Sequence, residues 1–294
     1  MQPPLLNSFD AYWPAMQKNS PPSSVQVQAQ TQAQAQVQTP ASSSIFKIAL
    51  LSDLHVGPTV KRNDVNLLVE IVNKQNVDAV FIAGDLLDQN PKNQPEVISD
   101  LEPLKNLQSQ FGTYFVLGNH EYHLDVKDVV EILPALNIHA LLNQQITIGT
   151  NKKQLRLVGL TDPSSLHSNY FPLNVNASVN ELKNSLPLPT ILLVHQPKVA
   201  REFLKKYFMS SSPTATTSKH SPIVLALSGH THGGQIIPFN IITKIKNYYL
   251  KGLYEFKIDN ELKSQIFVST GAGYWGPPIR LGAKSEIVII NLHF

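Results

Sequence analysis

The sequence predicts an α/β domain with two central sheets and helices outside, beginning at Ile45. Short runs rich in Val, Ile and Phe alternate with segments of helical periodicity. A second set of strand-like segments with shorter connections fills the back half. Over 294 residues the chain is 42% apolar and 15% charged, enough to bury a large core.

Residues 1–44 read as a tail apart from that domain. From Gln26 to Thr39, Gln alternates with Val, Ala or Thr between stretches of Pro, Ser and Ala. Such small side chains bury too little area to offset the entropy of ordering, so a disordered low-complexity tail is expected, and catalysis should survive its removal. Residues 45–294 form the expected domain. Ile45–Leu51, Ala79–Ala83, Tyr114–Leu117, Ile191–Val194 and Ile223–Leu227 are short and lack polar alternation, as strands covered on both faces do. Val65, Leu68, Val69 and Val72 recur at helical spacing, with Asn63 or Asp64 placed to cap the helix. Pro95–Leu107 and Val126–Leu136 repeat that pattern, and Pro197 suits the first turn of a helix reaching Phe208. Further strands are expected at Leu155–Leu160, Leu253–Ile258, Gln265–Ser269 and Glu286–Leu292, and a Ser/Thr-rich surface loop at Met209–Pro222.

Composition excludes several functions. A net charge of +3 with no block of Lys or Arg argues against dedicated nucleic-acid binding. With no Cys, disulfides, thiolate metal sites and thiol nucleophiles are ruled out. The first residues hold no secretory signal core, and no apolar run nears the ~20 residues that span a bilayer. A soluble cytoplasmic protein is the expectation.

Five polar clusters each follow one of the first five apolar runs: Asp53-Leu54-His55, Gly84-Asp85, Gly118-Asn119-His120, His195 and Gly229-His230-Thr231-His232. Loops at the carboxyl ends of strands converge in open α/β sheets. A lone His there is usually a packed or capping residue, but five such clusters together would be costly to bury without a cation. Ligands two residues apart at an extended strand end would point to one side. Glycines before Asp85, Asn119 and His230 allow sharp turns or close approach. Carboxylate, amide and imidazole donors suit Mn, Fe, Zn or Co rather than Ca.

The ordered blocks DLH, GD, GNHE, H and GHTH resemble the calcineurin-like metallophosphoesterase superfamily, and LSDLHVG, LLVHQP, LSGHTHGGQI and GYWGPPIRLGAKSEI resemble its bacterial-type phosphodiesterase branch. The resemblance spans nearly all of the chain after Ile45. It implies a four-layer α-β-β-α sandwich of two mixed sheets flanked by helices, holding two divalent metal ions. Asp53, His55 and His232 would bind the first ion, Asp85 would bridge, and Asn119, His195 and His230 would complete the second. His120 would be the catalytic histidine, with Glu121 orienting it. The implied reaction is hydrolysis of a phosphoester, a phosphodiester foremost, by metal-bound hydroxide. The implied substrate is a small molecule or a lipid-linked one. Two departures narrow the branch. Asp88 stands where purple acid phosphatases carry a metal-binding Tyr, and Gln89-Asn90 replaces the Arg-Gly of Ser/Thr protein phosphatases. A non-catalytic scaffold of the same fold and an amide hydrolase are the competing readings.

Weaker signals remain. Asp88 either orients a metal ligand or caps a turn. His123 and His167 are exposed-loop candidates for substrate contact, and His220 is incidental. Phe239–Tyr254 reads as a surface helix leading into a strand, with a rim on a lipid or membrane surface as the alternative. Gly271–Pro278 should form a rigid loop near the mouth. Arg280 would either meet a substrate phosphate or form a structural ion pair.

Overall fold

The structure, a computed structural model, describes residues 4–12, 28–29, 45–150, 153–210 and 223–294. Its strands are β1 (Leu5–Tyr12), β2 (Gln28–Ala29), β3 (Ile45–Leu51), β4 (Ala79–Ala83), β5 (Thr113–Val116), β6 (Ile138–Ala140) and β7 (Gln144–Thr150). They continue as β8 (Lys153–Gly159), β9 (Thr190–Leu193), β10 (Ile223–Ser228), β11 (Gly252–Ile258), β12 (Glu261–Val268) and β13 (Glu286–His293). One sheet has the order β2-β1-β13-β3-β4-β5-β6 and the other β11-β12-β10-β9-β8-β7. Both are mixed, with β3, β4, β5 and β6 parallel in the first and β8, β9, β10 and β12 parallel in the second.

Alternation along the strands builds the layers. In β3, Phe46, Ile48 and Leu50 enter the core between the sheets, in one cluster with Ile191 of β9 and Leu225 of β10. Ala49 and Leu51 of β3 face the other way, against the helices that cover the first sheet. The second sheet repeats the pattern: Leu225 and Leu227 of β10 point inward, while Ala226 packs outward with Phe203 and Leu204. The result is the four-layer α-β-β-α sandwich.

The helices are α1 (Arg62–Asn73), α2 (Glu96–Leu101), α3 (Asn119–His123), α4 (Val126–Ile132), α5 (Val175–Lys183), α6 (Pro197–Met209) and α7 (Phe239–Asn247). The buried stripe of α1 is Val65, Leu68, Val69 and Val72, as its spacing predicts. Its cap differs: Lys61 is the N-cap, and Asp64, three residues on, accepts the Lys61 backbone N–H at 3.0 Å. The pattern over Pro95–Leu107 divides into α2 and a tighter turn at Glu102–Asn106, and that over Val126–Leu136 into α4 and a turn at Pro134–Leu136.

The expected tail needs correction at its start. Leu5–Tyr12 is a strand of the first sheet, parallel to β13 in a register running from Leu5 opposite Glu286 to Tyr12 opposite His293. β2, inside the Gln-rich tract, pairs with β1. The other residues of that tract, and most of the Met209–Pro222 insertion, lie outside the described residues. Phe9 is buried and stacks on Phe267 of the second sheet, with ring centroids 4.9 Å apart, so β1 contributes to the core between the sheets. Phe9→Ala should therefore cost about 3 kcal/mol. Urea denaturation checks this, and an unchanged midpoint would return β1 to the status of a dispensable tail.

Candidate metal centre

β3, β4 and β5 of one sheet and β9 and β10 of the other end on the same side, and the five polar clusters leave from those ends. The backbone there is not extended, as ligands two residues apart would suggest. Asp53, His55 and Asp85 have φ of 51°, and His230 and His232 have 72° and 51°. Left-handed backbone at a residue with a Cβ is costly and persists where surrounding contacts enforce it. Close approach enforces two of the glycines. A Cβ on Gly118 would collide with Asp85 Oδ1, and one on Gly229 would collide with Asp53 Oδ2.

The structure brings all seven predicted ligand residues into one connected cluster. In its first half, His55 Nε2 lies 3.0 Å from His232 Nε2, and His232 Nε2 lies 3.5 Å from Asp53 Oδ1. In its second, His195 Nε2 lies 3.0 Å from Asn119 Oδ1, 3.1 Å from His230 Nδ1 and 3.2 Å from Asp85 Oδ2. Asp85 joins the halves, since the same Oδ2 is 3.8 Å from His55 Nε2. Its Oδ1 accepts the His120 backbone N–H at 3.0 Å, which fixes the carboxylate plane. Donor atoms sharing one ion with bonds of about 2.1 Å stand roughly 3.0–3.4 Å apart, which the 3.0–3.2 Å separations match, while the 3.5 and 3.8 Å ones are slightly wider. Asp53–His55–His232 and Asp85–His195–His230 are each close enough to hold an ion.

Electrostatics point the same way. Burial lifts the pKa of Asp53 and drives that of His230 down to about 3. Burial also opposes charge on Asp85 and His195, but their attraction outweighs it, holding Asp85 well below and His195 well above the ordinary value. Buried carboxylates beside inward-facing imidazoles are a donor set that a divalent cation would satisfy.

The supporting residues are partly those expected. Asp88 Oδ1 accepts from His55 Nδ1 at 2.6 Å and from His120 Nδ1 at 2.8 Å. One oxygen thus holds both rings through Nδ1 and leaves each Nε2 facing the cluster. Although burial works against it, these two bonds hold the Asp88 carboxyl down to about 2. For His120, burial likewise opposes protonation, and Asp88 and Asp85 overcome it to raise its pKa.

The role expected for Glu121 is corrected. Its fully buried carboxylate accepts backbone N–H groups from Asp85 at 3.0 Å, Leu86 at 2.8 Å and Gly118 at 2.6 Å, and Asp88 is the carboxylate on the His120 ring. Arg280 donates to the carbonyls of Gly273, Gly271 and His232 at 2.7, 3.3 and 3.4 Å, so it braces the backbone that carries His232. The His123 ring lies 5.7 Å from that of His120, whereas His167 is exposed at the end of the turn Pro163–His167 and His220 is outside the described residues.

The family model described as calcineurin-like phosphoesterase matches residues 46–234. An uncharacterized metallophosphoesterase of Helicobacter pylori strain J99 is 39% identical over 84% of this chain and 59% of its own. A bovine transmembrane protein with metallophosphoesterase domain is 34% identical over 86% of this chain and 54% of its own. The chain thus spans little more than half the length of these relatives. Among solved structures, a 5'-nucleotidase precursor from Thermus thermophilus aligns with a TM-score of 0.49 at 13% identity, covering 84% of this chain and 55% of that one.

Proposed function

The chain belongs to the calcineurin-like phosphoesterase family, and from that premise we propose that it hydrolyses phosphoester bonds, phosphodiesters foremost, at a centre for two divalent cations. The observation that carries this reading is Asp85 Oδ2, which lies between two sets of oxygen and nitrogen donors. Asp53, His55, His232 and Asp85 would hold one ion, and Asp85, Asn119, His195 and His230 the other. When bound, such ions supply positive charge that attracts a phosphoester and makes water at the site more acidic.

The chain's own residues supply the rest. Asp88 keeps the His55 ring in a fixed tautomer and holds the His120 ring through Nδ1. His120, whose raised pKa favours the protonated form, is placed to donate from Nε2 to the departing oxygen. Glu121 locks the loops that carry Asp85 and Asn119. The substrate class proposed is a small or lipid-linked phosphoester.

The test uses purified protein stripped with a chelator and reloaded with Mn, Fe, Zn or Co, one at a time. Hydrolysis of nitrophenyl phosphodiesters and monoesters should be lost on stripping and return with metal content. Metal bound at both positions with no turnover of any phosphoester would make the protein a scaffold of this fold instead.

A further inference from the structure

Helix α7 begins five residues after Gly234, the end of the turn that starts at the ligand His232, and it faces the wrong way for a core helix. At about 100° per residue, Asn240, Thr243 and Asn247 share one side, and this polar side is the one turned to the protein. Asn247 is buried and its amide donates to Thr243 O at 3.1 Å. Ile241, Ile242 and Ile245 occupy the opposite side, and Ile245 is 74% exposed.

A second segment extends this apolar face. Ile237 N–H donates to Leu281 O at 2.9 Å, and the Gln235 amide spans to the Trp275 backbone, donating to its O at 2.8 Å and accepting from its N–H at 2.9 Å. Trp275, Ile279 and Leu281 are each more than half exposed, as are Ile237 and Phe239. Isolated exposed apolar residues are ordinary, but eight large ones on one short helix, the segment leading into it and the loop bonded to that segment are not. Charge identifies what covers them. Residues 232–254 and 269–285 carry Lys244, Lys246, Lys251, Arg280 and Lys284 and no Asp or Glu. On the helix wheel, Lys244 and Lys246 flank the isoleucine side.

We propose that the outer face of α7 and the 275–281 loop dock on an anionic lipid bilayer. Isoleucines would enter the boundary of the acyl chains, Trp275 would sit at the level of the headgroups, and the flanking lysines would meet anionic lipid. The contact proposed is peripheral, made by the surface of this domain; no helix among the described residues is long and apolar enough to cross a membrane. Because Gln235 and Arg280 tie this face to the segment of His232, docking would hold the metal centre close to the bilayer.

Co-sedimentation of the full chain with vesicles tests this, using phosphatidylcholine alone and phosphatidylcholine mixed with phosphatidylglycerol. The protein should partition onto the mixed vesicles and much less onto neutral ones. Ile241→Glu and Ile245→Glu should each lower partitioning about tenfold, and Lys244→Ala and Lys246→Ala about fivefold each. All four variants should keep their metal content and their hydrolysis of a soluble nitrophenyl ester. Equal partitioning of native protein and Ile→Glu variants would overturn the proposal, as would native protein that ignores both vesicles. A dimer that the same Ile→Glu changes dissociate would also overturn it and reassign the face to a second copy of the chain. Vesicle binding needs no turnover, so its failure and the failure of the phosphoesterase reading are seen separately.

Discussion

Asp85→Asn should abolish phosphoester hydrolysis while leaving the fold intact. The amide keeps the shape of the carboxylate, and its oxygen can still accept the His120 N–H that Asp85 Oδ1 accepts. The amide nitrogen then occupies the position of Oδ2, facing His195 Nε2 at 3.2 Å and His55 Nε2 at 3.8 Å. A nitrogen carrying two hydrogens offers no lone pair to a cation, and the negative charge shared by both halves is gone. Metal content should fall together with activity. His120→Ala separates chemistry from metal binding, because the His120 side chain is outside the seven proposed ligands. It should keep both ions and lose about 10²–10⁴-fold in turnover number, the usual contribution of a positioned general acid. Full activity in either variant, measured on metal-loaded protein, would defeat the proposed function.

A contrast between local pattern and distant partners decides what is legible in the sequence. The five strand ends and their polar clusters can be read there because covered strands are compact apolar runs and the candidate ligands follow within a few residues. β1 is not legible. Leu-Leu-Asn-Ser-Phe-Asp-Ala-Tyr mixes polar and apolar residues, and its partner β13 lies at the other end of the chain, Leu5 opposite Glu286. β7 is hidden for a related reason: Gln144–Thr150 is an edge strand whose side chains are mostly half-buried or exposed, so no apolar run marks it. The short β6 carries no pattern either, whereas α5 has a legible one absent from the expected elements: Asn174 caps it, and Val175, Val179 and Leu182 recur at helical spacing.

At the centre, residue types are readable and conformations are not. Ligands two residues apart suggest an extended chain, yet Asp53 and His55 both adopt left-handed φ. Spacing makes Asp88 a candidate support, but only the folded chain shows one of its oxygens serving two histidines. For Arg280 the sequence leaves a substrate phosphate and a structural ion pair open. Its partners are instead the backbone carbonyls of Gly271, Gly273 and His232, which no spacing encodes.

Glu121→Ala should be the most destabilising single change at the centre, and it also separates two accounts of this residue. Three backbone N–H groups that now bond to one buried carboxylate would lose their acceptor. At roughly 1–3 kcal/mol for each buried group left unpaired, the loss is at least about 3 kcal/mol, a large part of a typical domain's stability. Burial, followed by the charge of Asp85, raises the Glu121 pKa to about 7, so the carboxylate is retained at a cost that its amide bonds offset. Glu121→Gln should lie between, because its carbonyl oxygen can replace one carboxylate oxygen while its NH₂ opposes an N–H at the other. Were Glu121 instead a support for the His120 ring, Glu121→Gln would lower turnover at unchanged stability and metal affinity. If it locks the loops, denaturation midpoint and metal affinity move first, and the turnover of fully loaded protein stays near the native value. The loops of Asp85 and Asn119 come from different strands, and a single side chain holds them in register for the ions they are proposed to share.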